Sequence, residues 1–170
     1  AWVQFDVTDY ALAQTDGVYA FRLTAPTVAS NTATTTFASN NTADSTQHPY
    51  LSFDYNAYSS VICEADTMIR NGANADKAYD GINYVQLGDP GRFGLFRFDT
   101  ADVDLSGVNY VSLDLTVKRA PAGNLDLFCY GLGEPFKVWE ETITGGQAEK
   151  SGLWTSEGNM TAAAVTKGLE

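Results

Sequence analysis

The strongest constraint on this chain is a period-two alternation of apolar and polar residues, repeated in short runs along most of its length. It is seen in VQFDV (3–7), GVYAFRLTA (17–25), TTTFAS (34–39) and YLSFDY (50–55). Further runs are ADTMIRNG (65–72), NYVQLG (83–88), RFGLFRFD (92–99), NYVSLDLTVKRA (109–120) and LDLFCYGL (125–132). Successive side chains of a strand point to opposite faces, so each run can bury one face, and the NG, DG, DPG, SG and PAG pairs and triplets between them are turn signals. About nine short strands spaced in this way predict an all-β chain, an antiparallel β-sandwich of jelly-roll type with few helices.

The length of 170 residues suits one domain, enough to bury roughly 70% of the surface of the unfolded chain. A hydrophobic content of 44% with 12% aromatics excludes a disordered segment. The net charge of −11 argues against duplex DNA, RNA or an anionic membrane as partner. Cys63 and Cys129 build no CxxC zinc pattern; one disulfide between them and two buried free thiols fit equally. With no long apolar run and no signal peptide in this stretch, the expectation is a secreted, extracellular module.

Two blocks carry a family resemblance. EADTMIRNGANADKAYDGINYVQLG, RFGLFRFDTADVDLSGVNYVSLDLTV and VWEETIT, in that order, resemble the first half of the DNRLRE domain, classed with family 96 carbohydrate-binding modules. WVQFDVTDY, DGVYAFRL and TTTFASNNTADSTQHPYLSFDY resemble its second half, which here comes first. The resemblance implies a single sandwich over 1–170 with its halves in circularly permuted order, or a piece of a tandem-repeat array. Residues 1–55 would match the family's C-terminal half, 56–62 (NAYSSVI) would be a linker, and 63–170 would match its N-terminal half. Both pieces are needed to complete one core, and neighbouring chains that exchanged them would form a strand-swapped oligomer. The stretch 142–170 is less regular and reads as a tail leading elsewhere.

No GxSxG, HExxH, P-loop or GxGxxG stands in the chain. His48 precedes a proline in a loop, and the adjacent Glu140 and Glu141 would point to opposite faces of a strand. An enzyme is therefore not expected. Arg22, Arg70 and Arg97 each alternate with apolar neighbours and are expected on one solvent face, where guanidinium groups suit a carboxylate or sulfate. Lys77 and Tyr79 lie in a polar loop and Trp154 in the irregular tail, and the three join the arginines as candidate sugar contacts. Trp2 and Trp139 occupy positions that the family resemblance assigns to packing. Asn41, Asp44, Glu64 and Asp66 are the candidate oxygen ligands for a structural Ca²⁺, although no DxDxDG loop is present. The function expected is a non-catalytic module binding a polysaccharide, with an acidic one of the alginate kind implied by the resemblance. The alternative is a structural repeat of a surface fibre without a sugar site.

Overall fold

Alternation becomes eleven strands and two short helices over the residues that this computed structural model describes, 1–25, 34–54, 59–88, 91–153 and 160–165. In chain order they are β1 (Trp2–Asp6), α1 (Thr8–Ala13), β2 (Val18–Thr24), β3 (Thr34–Ala38), β4 (Tyr50–Asp54), β5 (Ser59–Ile62) and β6 (Ala65–Arg70). There follow β7 (Tyr84–Gly88), β8 (Arg92–Asp99), β9 (Tyr110–Arg119), β10 (Leu125–Gly131), α2 (Gly145–Ser151) and β11 (Met160–Val165). They form an antiparallel β-sandwich. One sheet runs β5-β4-β9-β3-β7 with β1 also paired to β9, and the other runs β11-β10-β2-β8-β6.

The long strand β9 organises the first sheet, pairing with β1 from Trp2↔Thr116 to Asp6↔Ser112, with β4 from Tyr50↔Asp114 to Asp54↔Tyr110, and with β3 beyond a bulge. Strands from the first 54 residues interleave with later ones in both sheets: β2 lies between β10 and β8, and β4 between β5 and β9. The main core accordingly mixes Phe5, Phe21, Phe37 and Phe53 with Phe96, Phe98, Leu113 and Leu127, all buried.

Two stretches differ from the sequence reading. The expected linker 56–62 is partly strand, because residues 59–62 form β5 and add to the edge of β4 from Tyr50↔Ile62 to Phe53↔Ser59. The expected tail contains α2 and β11, the latter paired with β10. Leu132, Trp139, Ala148 and Leu153 seal a second cluster against Ala20, Ala65, Ile69 and Leu95, on the side of the second sheet that faces away from the main core. These four anchors have no regular spacing, so period-two patterning cannot reveal them.

Local chemistry fixes this outer layer. Thr144 and Gln147 form a reciprocal capping box at the start of α2, and Gly152 ends it in the left-handed region at φ 83°. The nearly buried Lys137 ammonium reaches both carboxylate oxygens of Asp16, at 2.8 and 2.9 Å. That hydrogen bond is the main reason the Asp16 carboxyl is held below the usual carboxylate range. A buried ammonium stripped of its partner costs more than the pair contributes. Asp16→Ala is therefore expected to destabilise by about 1–3 kcal/mol and Lys137→Met by less, an order that urea unfolding of the two variants checks.

Candidate functional site

In the first sheet the alternation is strict. Val3, Phe5, Leu51, Phe53, Val111, Leu113 and Leu115 face the core, and the intervening residues form an open outer face. Register sets Ile62, Tyr50, Asp114 and Gln4 in one row across β5, β4, β9 and β1, and Ser60, Ser52, Ser112 and Asp6 in the next. Trp2 stands opposite Thr116. Trp2 is 41% exposed, Tyr110 38% and Ile62 50%, a large apolar content for a solvent face.

Trp2 and Tyr50 flank β9 from opposite sides, yet their rings meet edge to face above it, with centroids 5.1 Å apart and planes at 69°. Asp114, 1% exposed, accepts from Ser52 Oγ at 3.0 Å, from Ser112 Oγ at 2.7 Å and from Gln4 Nε2. A carboxylate with three donors is electrostatically satisfied and serves to orient them. The Thr116 hydroxyl oxygen, in the same stretch of β9, is buried and has no hydrogen-bond partner among the described residues. The face thus combines aromatic surface, which suits the C–H side of a sugar ring, with the exposed Gln4 amide, which suits its O–H groups, over buried Ser52 and Ser112 hydroxyls held on Asp114.

The predicted arginine surface does not form. Arg22 is 4% exposed, with its guanidinium carbon 5.1 Å from the Phe93 ring centroid and 4.7 Å from that of Tyr130. Arg97 lies on the same side of the sheet, 4.9 Å from the Trp139 ring centroid, with Nε 3.1 Å from Glu64 Oε2. Arg70 follows the alternation of Met68, which faces the main core, whereas Ala65 and Ile69 face the outer cluster. Both faces of the central strands of this sheet are covered, so an arginine alternating with apolar residues need not meet solvent. Lys77 is exposed, Tyr79 packs partly buried against the main core, and Trp154 lies outside the described residues. Trp139 is a packing residue, as expected, but Trp2 is not.

The four candidate calcium ligands do not act together. Asp44 spends its carboxylate inside its own turn, accepting from Thr46 N at 3.0 Å, Thr46 Oγ1 at 2.6 Å and Gln47 Nε2 at 2.9 Å. Asn41 is exposed and its backbone N donates to Ser39 Oγ. Glu64 pairs with Arg97, and it is Asn40 whose backbone N donates to Asp66 Oδ2, at 2.7 Å. Among the described residues no group of three or more His, Cys, Asp or Glu is placed to hold a metal ion. Cys63 and Cys129 are free buried thiols, both pushed up by burial, and His48 Nε2 donates to Thr42 O at 2.7 Å.

Asp66 is a buried acid whose carboxyl titrates near neutrality. Burial, reinforced by the nearby charge of Glu141 and partly offset by the Asn40 N–H, raises its carboxyl to about 7. Between about pH 4 and pH 7 the folded chain holds a proton that the unfolded chain has released, so stability falls as pH rises through this window. The expected slope from this group is up to about 1.4 kcal/mol per pH unit. Asp66→Asn should remove it, which urea midpoints of the two proteins at pH 4.5, 6 and 7.5 would show.

Comparison of the chain with protein-family models, with curated proteins and with solved structures finds no match. Sequence reasoning missed Gln4, Tyr50, Ser52, Ser112 and Asp114. The signal available was the presence of Trp2, Tyr50 and Tyr110 at the polar positions of otherwise clean alternations.

Proposed function

We propose that this chain is a non-catalytic carbohydrate-binding module that holds a polysaccharide on the outer face of its six-stranded sheet. The observation that carries this reading is the Trp2–Tyr50 ring pair, Trp2 exposed and Tyr50 half-buried, set across a polar floor of Gln4, Ser52, Ser112 and Asp114. An open sheet face admits an extended chain from either end, so binding need not depend on a chain terminus. Asp6 and Asp54 lie exposed at one end of this face, with Lys118 exposed towards the other end of β9, and Arg22, Arg70 and Arg97 belong to the other sheet. A neutral polysaccharide therefore fits better than the acidic one expected from the arginines. The family 96 resemblance of the sequence points to the same activity, and with it to a jelly-roll connection, permuted halves and an extracellular setting. Repetition of such modules in an array would raise a weak single-site affinity through effective concentration.

Affinity electrophoresis in gels containing xylan, mixed-linkage glucan, galactomannan, alginate or polygalacturonate tests the proposal. Retardation by at least one neutral polymer is the expected result. Retardation by alginate or polygalacturonate alone would overturn the choice of a neutral ligand, and no retardation by any of them would favour a structural repeat module.

A further inference from the structure

On the other side of the sandwich, a cavity of about 470 Å³ lies between the 135–143 segment and α2. Phe136, Trp139, Ile143 and Leu153 supply apolar walls, and Ser151 and Glu140 supply polar edges. The size is that of small-molecule sites, which are mostly apolar with a few fixed polar groups. Trp139 is 5% exposed, and its buried indole Nε1 has no hydrogen-bond partner among the described residues. Buried donors are nearly always paired, and one left unpaired in a native fold calls for a missing acceptor. The indole also stacks against Arg97, and the Arg97 guanidinium donates to the Trp139 carbonyl oxygen, so the side chain and its backbone are held in place. The helix α2, which lends Gln147 and Ser151 to the cavity lining, is equally fixed. A Cβ on Gly145 would sit 1.6 Å from Arg70 O, so α2 is seated directly on the end of β6.

We propose that this cavity is a second binding site, for a small, flat, neutral apolar molecule carrying one hydrogen-bond acceptor that takes the Trp139 N–H. Phe136 and Leu153 offer a ring apolar walls to pack on, and the acceptor would pair the indole donor. Glu140, exposed on the rim, opposes an anion and selects a neutral acceptor such as a carbonyl or ether oxygen. The site is independent of the sheet face assigned to polysaccharide, because it lies against the other sheet.

Acetophenone and ethylbenzene, nearly isosteric and differing in the carbonyl, are the probes. In ¹H–¹⁵N spectra of the whole chain, the Trp139 indole cross-peak is assigned by its loss in Trp139→Phe. Acetophenone is expected to shift this cross-peak saturably, with ethylbenzene binding about tenfold more weakly. Ser151→Phe, which places a ring in the cavity from the exposed end of α2, is expected to abolish the shift. Thr142→Tyr provides a second block should that variant fold poorly. No saturable shift up to the solubility limit of acetophenone, equal responses to both probes, or unchanged binding by both blocked variants would overturn the proposal.

Discussion

Gly131→Ala is expected to destabilise the protein by about 3–5 kcal/mol, a loss on the scale of deleting a core aromatic. Gly131 ends β10 opposite Phe21 of β2. A Cβ at this position would lie 2.1 Å from Cδ2 of Tyr10 and 2.4 Å from its Cγ. Tyr10 has nowhere to retreat. Its ring is buried in α1 at 5.0 Å from Phe21 and 5.9 Å from Tyr19, centroid to centroid. Its hydroxyl donates to Leu132 O at 2.7 Å and accepts from Ala20 N at 3.2 Å. Expelling the ring forfeits that packing and strands a backbone N–H and a carbonyl oxygen in the interior. For a chain of this size the loss corresponds to a fall in melting temperature of about 10 °C. The same substitution in a Tyr10→Ala background should cost less than about 1 kcal/mol, because the colliding ring is gone. Thermal unfolding of the four proteins in this cycle measures the coupling, and equal costs in both backgrounds would remove the steric explanation.

Trp2→Ala is expected to weaken polysaccharide retention at least about tenfold while leaving the fold intact. Tenfold is about 1.4 kcal/mol, the scale of an aromatic contact. At 41% exposure, with its ring in edge contact with Tyr50 on the outer face, Trp2 contributes little to the core. Trp2→Phe should retain part of the affinity, since a smaller ring still presents an apolar face. Arg97→Ala serves as the contrasting variant: its side chain is committed to Glu64 and Trp139 on the second sheet, and polysaccharide retention should be unchanged. Affinity electrophoresis of the three variants against the retarding polymer separates the two faces. Loss of retention in Arg97→Ala with none in Trp2→Ala would return the site to the arginines.

The sandwich was legible because its signal is local. Each of the alternating runs, from VQFDV to LDLFCYGL, overlaps a strand, since one buried face per strand leaves its mark every second residue. What is layered on top of a sheet leaves no such mark. The 132–153 segment is held by Leu132, Trp139, Ala148 and Leu153 at irregular intervals, so its path was invisible, and with it the burial of Arg22 and the shielding of Arg97. Arg22 alternates with Phe21 and Leu23 as a solvent-facing residue would, but sits between Phe93 and Tyr130. A guanidinium can be covered in this way by stacking on rings. Trp2 misled in the opposite sense, because the family resemblance put it at a packing position, whereas its parity against Val3 and Phe5 puts it on the outer face. Asp114 was hidden within SLDLTV, where a mid-strand carboxylate reads as a solvated residue. Only the pairing of β9 with both β1 and β4 brings Gln4 and Ser52 to it.

The most direct test is ¹H–¹⁵N chemical-shift mapping with a hexasaccharide of whichever neutral polymer retards the chain. Saturable shifts confined to the Trp2 indole, the Gln4 side-chain amide and the backbone of Tyr50, Ser52, Ser112 and Asp114 are the predicted outcome. Shifts that instead cluster on β2, β8 and the 132–153 segment, with the Trp2 and Gln4 signals unmoved, would contradict the placement of the binding face on the six-stranded sheet.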